Sequence, residues 1–460
     1  MIYISKVNFA SALILFSLLL SPTHSNAQSD SEQIEALKKQ IKEVERKNRE
    51  QIEELKRKIE RLEAGRAADD EKVKEVVVKQ EESGDAWYDK LRAQYKKGLT
   101  FESDDGNFMM RMRIFGQFQL SVDDTDGEDT ATNFDVRRLR IKWDGHAFRP
   151  WFLYTVQIET VEDPILLDAY FDVAYYTKFV PRVGQFKVPF NREELTSSAS
   201  LQFPERSIVN SEFTYGRDRG ATLNGVLGNY VTYGAGIFNG DGINGTSVDS
   251  NLLYAGRVQF GYGGELEYSG DEFPSGGAYA IAPNFGGRTP VFVFGGALAG
   301  IPGLNIDKKI PNGDIETRFA QLGITTADVV SVTADANFKL YMLNVEAEYD
   351  GRWISPDEGG LDTAYDQGFR VQGGVFLLPK TIEIAGRWAF VDYDTNPGIF
   401  AEPGGDAPDR EYELTPGLNF YLSKNQAWKI QLSYSFIRNA FTESDDIDEN
   451  IFRTQLQAYF

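Results

Sequence analysis

From about residue 108 to the C-terminus the chain repeats with a period of two, and this repeat constrains the fold more than any other feature. Trp428, Ile430, Leu432, Tyr434 and Phe436 alternate with Lys429, Gln431, Ser433 and Ser435. Earlier, Met112, Ile114, Phe118 and Leu120 stand against Arg111, Arg113, Gln117 and Gln119, and Leu139, Ile141 and Trp143 against Arg138, Arg140 and Lys142. Phe152, Tyr154, Val156 and Ile158 alternate in the same way with Leu153, Thr155, Gln157 and Glu159. Successive strand residues point to opposite faces, so one face is apolar and aromatic while the other is polar. A strand lying between lipid and water needs that division. The last strand ends on Phe460, with Ala458, Leu456, Thr454 and Phe452 on its face and Gln457, Gln455 and Arg453 on the other.

The connections between strands alternate between long and short. Asp123–Thr132, Asn239–Ser250, Asp394–Asp409 and Asn439–Glu449 read as long loops; Asp144–Pro150, Gly228–Asn229, Leu378–Lys380 and Lys424–Gln426 read as short turns. Outer-membrane barrels put short turns at one end and long loops at the other. A soluble β-sandwich has no reason for that rhythm. The expected fold is an all-β transmembrane barrel of about 16 antiparallel strands over residues 108–460. Strand signals are weakest between residues 261 and 329, where glycine and proline are frequent, and Pro416 within a strand-like segment implies a bulge.

The N-terminal part has a different period. Residues 1–27 read as a signal peptide: Lys6 precedes the apolar run Val7–Leu20, and Ser25, Asn26 and Ala27 offer a small-residue cleavage site. In residues 28–63, Ile34, Leu37, Ile41 and Val44, then Ile52, Leu55, Ile59 and Leu62, recur at spacings of three and four. This is the seam of an α-helical coiled coil. Val44, Asn48 and Ile52 form a stutter between the two blocks. A single solvated helix is the plainer alternative. Residues 64–107 read as a charged, partly helical linker.

Composition argues against enzymatic chemistry. There is no cysteine, and once the signal leaves with His24 only His146 remains. That removes most histidine triads and histidine-rich metal sites, so no catalytic residue, cofactor or metal site is expected. No later run reaches the ~18 apolar residues of a membrane helix. The net charge of -21 gathers partly in the stretches Asp123–Asp129 and Glu443–Glu449. Acidic outer loops can bridge to lipopolysaccharide through divalent cations, although the EF-hand spacing is absent.

Val183-Gly184-Gln185-Phe186-Lys187-Val188-Pro189-Phe190, Glu205-Arg206, Arg217-Asp218-Arg219-Gly220 and Gly236-Ile237-Phe238-Asn239-Gly240 resemble the phosphate-selective porin O and P family. Gly368–Gly374 and Thr415–Tyr421 extend the resemblance over nearly all of residues 108–460. It implies a trimeric barrel whose third outer loop, about Val188–Asp218, folds inward as a constriction. The loop's position after the fifth strand agrees with the strand count. The resemblance also implies lumen arginines that attract anions, with lysines deeper in the channel.

The candidates for such anion-binding, pore-lining positions are Arg111, Arg113, Arg138, Arg140, Lys142, Lys187, Arg192, Arg206, Arg217 and Arg219. Guanidinium groups in a narrow wet channel replace part of an anion's hydration. Glu193, Glu194 and Asp218 are the constriction-loop acids that weigh against anion preference, and Phe460 is the candidate assembly signal. The expected function is passive diffusion of small hydrophilic solutes through an outer-membrane porin, anion-favouring, with phosphate the solute implied by the family. The alternatives are a general or cation-favouring porin, or an envelope tether acting through a periplasmic coiled coil. Expected partners are two further copies of the chain in a homotrimer, outer-membrane lipid and lipopolysaccharide, the barrel assembly machinery and small anions; nucleic acid is not among them.

Overall fold

The computed structural model describes residues 91–460 except 229, 246–249, 264–288, 306–318, 320–323, 358–361, 395–407, 425 and 442–444. Before residue 91 it describes Lys42, Glu43, Arg46, Glu53 and Arg57, which are helical and exposed, with Arg46 Nη2 2.9 Å from Glu43 Oε1. Residues 1–89 and 90–460 form separate compact units. The signal peptide, and all of the coiled coil apart from those five residues, lie outside the described residues.

Two short strands, β1 (Leu91–Tyr95) and β2 (Leu99–Ser103), precede the barrel. The first barrel strands are β3 (Met109–Thr125), β4 (Ala131–His146), β5 (Phe152–Glu159), β6 (Ile165–Val173) and β7 (Val180–Lys187). After the inward loop come β8 (Arg217–Leu227), β9 (Val231–Phe238), β10 (Leu253–Tyr262), β11 (Val291–Asn305), β12 (Thr326–Leu340) and β13 (Leu343–Pro356). The series ends with β14 (Ala364–Leu378), β15 (Ile382–Asp392), β16 (Arg410–Tyr421), β17 (Trp428–Ala440) and β18 (Ile447–Tyr459). Each pairs antiparallel with the next, and β18 returns to β3, closing a barrel of sixteen strands, β3–β18. Closure is required because lipid cannot hydrogen-bond to the free N–H and C=O groups of a sheet edge.

The seam runs from Glu449↔Thr125 to Tyr459↔Phe115. Ile114 and Phe460 extend it by exchanging both backbone hydrogen bonds, at 2.7 and 3.0 Å. Below that point β2 takes over the same edge of β3, from Leu99↔Met112 to Glu102↔Met109. Residues 91–103, read from sequence as linker, are therefore a hairpin joined to the barrel.

The alternation read from sequence is the inside–outside division. Phe118, Phe294, Leu298, Leu414 and Leu456 are exposed on the outer face, whereas Gln117, Gln431, Gln455 and Gln457 are buried on the inner one. The inner amides bond to one another: Gln117 Nε2 donates to Gln457 Oε1 at 2.9 Å and Gln455 Nε2 to Gln431 Oε1 at 3.2 Å.

Three local readings change. The first loop shrinks to 126–130, because β3 continues to Thr125 and β4 starts at Ala131. The connection 263–290 falls at the end where the other connections are short. At Pro416 there is no bulge: Leu414↔Phe436 and Gly417↔Ser433 keep one register, and the ladder to β17 merely loses its bonds across Thr415–Pro416. Proline has no N–H to contribute there. A real bulge lies in β4, where Gln117 pairs with Arg138 but Gln119 with Asp135.

Leu298→Arg, on the lipid face of β11, should destabilise the barrel by about 2–4 kcal/mol. Reversible urea unfolding in lipid vesicles, followed by tryptophan fluorescence, measures this, and an unchanged midpoint would mean that Leu298 does not face lipid.

Candidate functional site: an inward loop and a cationic cleft

The site is built by the long segment between β7 and β8. Two short helices, α1 (Arg192–Leu195) and α2 (Ile208–Phe213), lie within it. The segment starts beside Gly184, whose φ is +140°, and a Cβ there would meet the Ala169 carbonyl oxygen at 2.1 Å. Only glycine lets β7 press against β6 at this point. Val188, Phe190 and Tyr215, at the two ends of the loop, are buried in an apolar cluster with Phe238, Leu253, Ile301 and Val329. In its last third Val209 and Phe213 of α2 pack against Ala389 and Val391 of β15. Apolar contacts thus hold the loop in the lumen by its ends and by α2.

Between these anchors the loop is polar and bonds to the wall on many sides. The Phe190 carbonyl accepts from Arg257 Nη1 at 2.8 Å, and the Leu201 carbonyl from Lys429 Nζ at 2.7 Å. Gln202 Nε2 donates to Glu383 Oε1 at 2.7 Å, and the Ile208 N–H to Glu413 Oε2 at 3.1 Å. Ion pairs join Arg192 to Glu346 at 2.9 Å, Arg370 to Glu193 at 3.1 Å, and Arg352 to Glu212. Apart from Ile208, which is partly buried, all of these residues are buried. Buried charges of this kind are tolerated only when paired and hydrogen-bonded.

The loop leaves space on two sides. One space, about 590 Å³, is lined toward the long-loop end by Arg137, Arg138, Arg206, Arg387 and Arg453, and by Asp123, Asp135, Glu194, Glu205 and Glu413. Its charges balance. The other is a cleft of only about 40 Å³ between the loop residues Ser197 and Ser198 and the wall from β4 to β8. It is lined by Arg140, Lys142, Arg182, Lys187 and Arg217 against a single carboxylate, Asp168, together with Gln157, Tyr170 and Phe186. β4 lines both spaces, so Arg138, Arg140 and Lys142 form a file from the wide space into the narrow one.

The sequence candidates divide between these surroundings. Arg140, Lys142, Lys187 and Arg217 come together in the cleft. Arg140 Nε lies 2.7 Å from Glu159 Oε2 and its Nη1 donates to Ser198 Oγ at 3.1 Å. Arg217 holds Asp168 with two bonds, at 2.9 and 3.1 Å. Lys187 Nζ donates to the carbonyls of Glu194 and, at 3.1 Å, Thr196. Arg138 and Arg206 line the wide space, Arg206 lying 3.3 Å from Glu194 Oε2. Arg111 and Arg113 lie together near the short-turn end and share Asp144, and Arg113 Nη1 also donates to the Tyr459 hydroxyl at 2.7 Å.

The remaining candidates are engaged elsewhere. Arg192 is buried between Glu346 and Asp335, and Arg219 is exposed and donates to the Gly245 carbonyl at 3.0 Å. Among the loop acids, Glu193 faces Arg370 and Arg387, while Glu194 faces Arg206 and Lys187. Asp218 accepts from the backbone N–H groups of Arg219 and Gly240.

Arg137 was missed because strict alternation assigns it to the lipid face; the β4 bulge turns it inward beside Arg138. Both grip Glu205, with Arg137 Nε 2.6 Å from Oε1 and Arg138 Nη2 3.0 Å from Oε2. Glu205 lies on the loop rather than on a spanning strand. Burial pushes its carboxyl up, but Arg138 and Arg137 outweigh this and hold it down to about 2. Arg182 also went unread. It pairs with Asp172 and lies 3.9 Å over the Tyr170 ring. Arg370 could have been found, because it shares an alternation phase with Gln372 in Gly368–Gly374.

A closed antiparallel barrel with an apolar outer face, a polar lumen and a long loop folded into it is the architecture of an outer-membrane porin. Residues 108–270 match the family model described as phosphate-selective porin O and P, the family that the sequence motifs resemble. The match spans β3 to β10; the later motifs fall outside it. Among solved structures, the chain is similar to an anion-selective porin from Comamonas acidovorans, with 10% identity, 76% of this chain and 100% of that one covered, and a TM-score of 0.49. It is also similar to the outer membrane channel DcaP of Acinetobacter baumannii, with 12% identity, 78% and 99% covered, and a TM-score of 0.49. For the trimer form of OmpT from Vibrio cholerae the values are 10%, 76%, 99% and 0.48. No curated protein matches the chain.

Arg370→Gln should leave Glu193, Glu346 and Glu348 facing one another without their shared cation, costing about 3–5 kcal/mol. Single-channel recording should then show larger and noisier conductance as the loop loosens. Wild-type conductance and thermal stability would contradict the anchoring role.

Proposed function

We propose that this protein is a passive, anion-favouring diffusion channel of the bacterial outer membrane. The observation that carries the reading is the cleft. Its lining has five cationic side chains and one carboxylate in the narrower of the two spaces beside the loop. With Glu159, Asp172 and Asp168 paired to Arg140, Arg182 and Arg217, the five cationic side chains of the lining still outnumber the carboxylates they hold. Like charges converging on a narrow wet passage focus the field and raise the local anion concentration. The balanced charge of the wide space leaves discrimination to the cleft. Phosphate is a solute compatible with this lining, since guanidinium groups recognise oxyanions with two parallel bonds. Solute crosses down its own gradient, with no catalytic residue and no cofactor.

The wider reading follows from the class. The end carrying Phe460 faces the periplasm, and the long loops meet lipopolysaccharide. Residues 1–27 direct export, and residues 28–63 form a coiled coil in the periplasm. The barrel assembles as a homotrimer after the assembly machinery recognises the strand ending on Phe460.

In a salt gradient across a planar bilayer the reversal potential should lie on the anion side. Lys142→Glu and Arg217→Glu should each move it toward the cation side, while Arg219→Glu leaves it within error. A cation-side potential for the wild type would overturn the reading.

A further inference from the structure

The wide space holds an arrangement that simple lining does not explain. The bulge in β4 brings two adjacent guanidinium groups, Arg137 and Arg138, to one side of the lumen. Both are occupied by a carboxylate from the protein itself. Glu205 receives Arg137 Nε at 2.6 Å, Arg137 Nη2 at 3.1 Å and Arg138 Nη2 at 3.0 Å, and Gln119 Nε2 at 3.3 Å. This is the donor set that an oxyanion from solution would need. The cluster is reachable, since the Arg137 side chain is 40% exposed and Glu205 21%.

Glu205 is not needed to hold the loop. The carbonyl of Leu201 and the side chain of Gln202 are fixed on one side of it, and Ile208, Val209 and Glu212 on the other. Its carboxylate can leave the arginines without undocking the segment. A further cation, Arg453, lines the same space, and among the described residues it donates to Ser435 Oγ at 3.5 Å.

We infer that Glu205 is a tethered stand-in for solute: it fills an oxyanion site made by Arg137 and Arg138, and an entering oxyanion must displace it. The inference rests on the anion-favouring reading and adds a regulatory contact to it. A tethered carboxylate competes at an effective concentration of roughly millimolar or more. The occupied site therefore holds oxyanions weakly, and solute that reaches it passes on to Arg140 and Lys142 instead of remaining bound.

The test measures block of chloride current by inorganic phosphate and by sulfate, using purified full-length protein in planar bilayers. Glu205→Gln should lower the blocking concentration of both anions about tenfold, while Glu205→Asp, which keeps the charge, stays within about twofold of wild type. Arg137→Gln added to Glu205→Gln should remove most of the gain. An unchanged or higher blocking concentration in Glu205→Gln that still migrates as a folded barrel would overturn the inference. A conductance increase insensitive to the added anion would overturn it too, by showing that Glu205 is a loop anchor. The wild-type reversal potential keeps the two readings apart: if it lies on the anion side while block is unchanged, only the stand-in role falls.

Discussion

Everything in this structure follows from the absence of water around the middle of the wall. A strand in hydrocarbon can satisfy its N–H and C=O groups only through neighbouring strands, so the sheet has to close. Closure is completed where β18 returns to β3 and where Phe460 exchanges backbone bonds with Ile114. Once the ring is closed, alternation delivers every second side chain to the lumen. The apolar half of the pattern is lipid contact, and the polar half becomes the material of the channel.

The lumen poses the opposite problem. A ring of this size is wide enough for an aqueous channel, and a porin needs that width reduced without an apolar plug. Here the reduction is made by a polar segment tied to the wall through opposite charges. Arg192, Glu193 and Glu212 each meet a partner of opposite charge on the wall. In this way the loop acids are matched by cations of the wall instead of standing free in the passage. Along the β4–β8 wall cationic side chains outnumber the carboxylates of the cleft lining, and the proposed anion preference rests there.

Much of this could be read from the residues, for identifiable reasons. Strand number and much of the loop rhythm are legible because a period of two and Gly/Pro punctuation are local signals, whereas the inward course of the loop is implied only by the family resemblance. The file Arg138, Arg140 and Lys142 was legible as one face of one strand. What stayed hidden depended on departures from regularity or on distant partners. Arg137 is inward only because of a bulge that its own sequence does not announce, and Pro416 suggested a bulge where the register runs straight. The cleft position of Arg217 depends on Asp168, far away in sequence and brought to it only by the pairing of β6, β7 and β8. The hairpin at residues 91–103 was read as linker because its residues are mostly charged and polar, and because its pairing partner is the lower end of β3.

The central claim is that the narrow cleft between the loop and the β4–β8 wall is where anions are held. Bromide soaked into crystals of the protein, located by its anomalous scattering, tests this most directly. The account predicts a bromide peak among Arg140, Lys142, Lys187 and Arg217. An empty cleft that takes up rubidium instead, in a parallel soak, would contradict it.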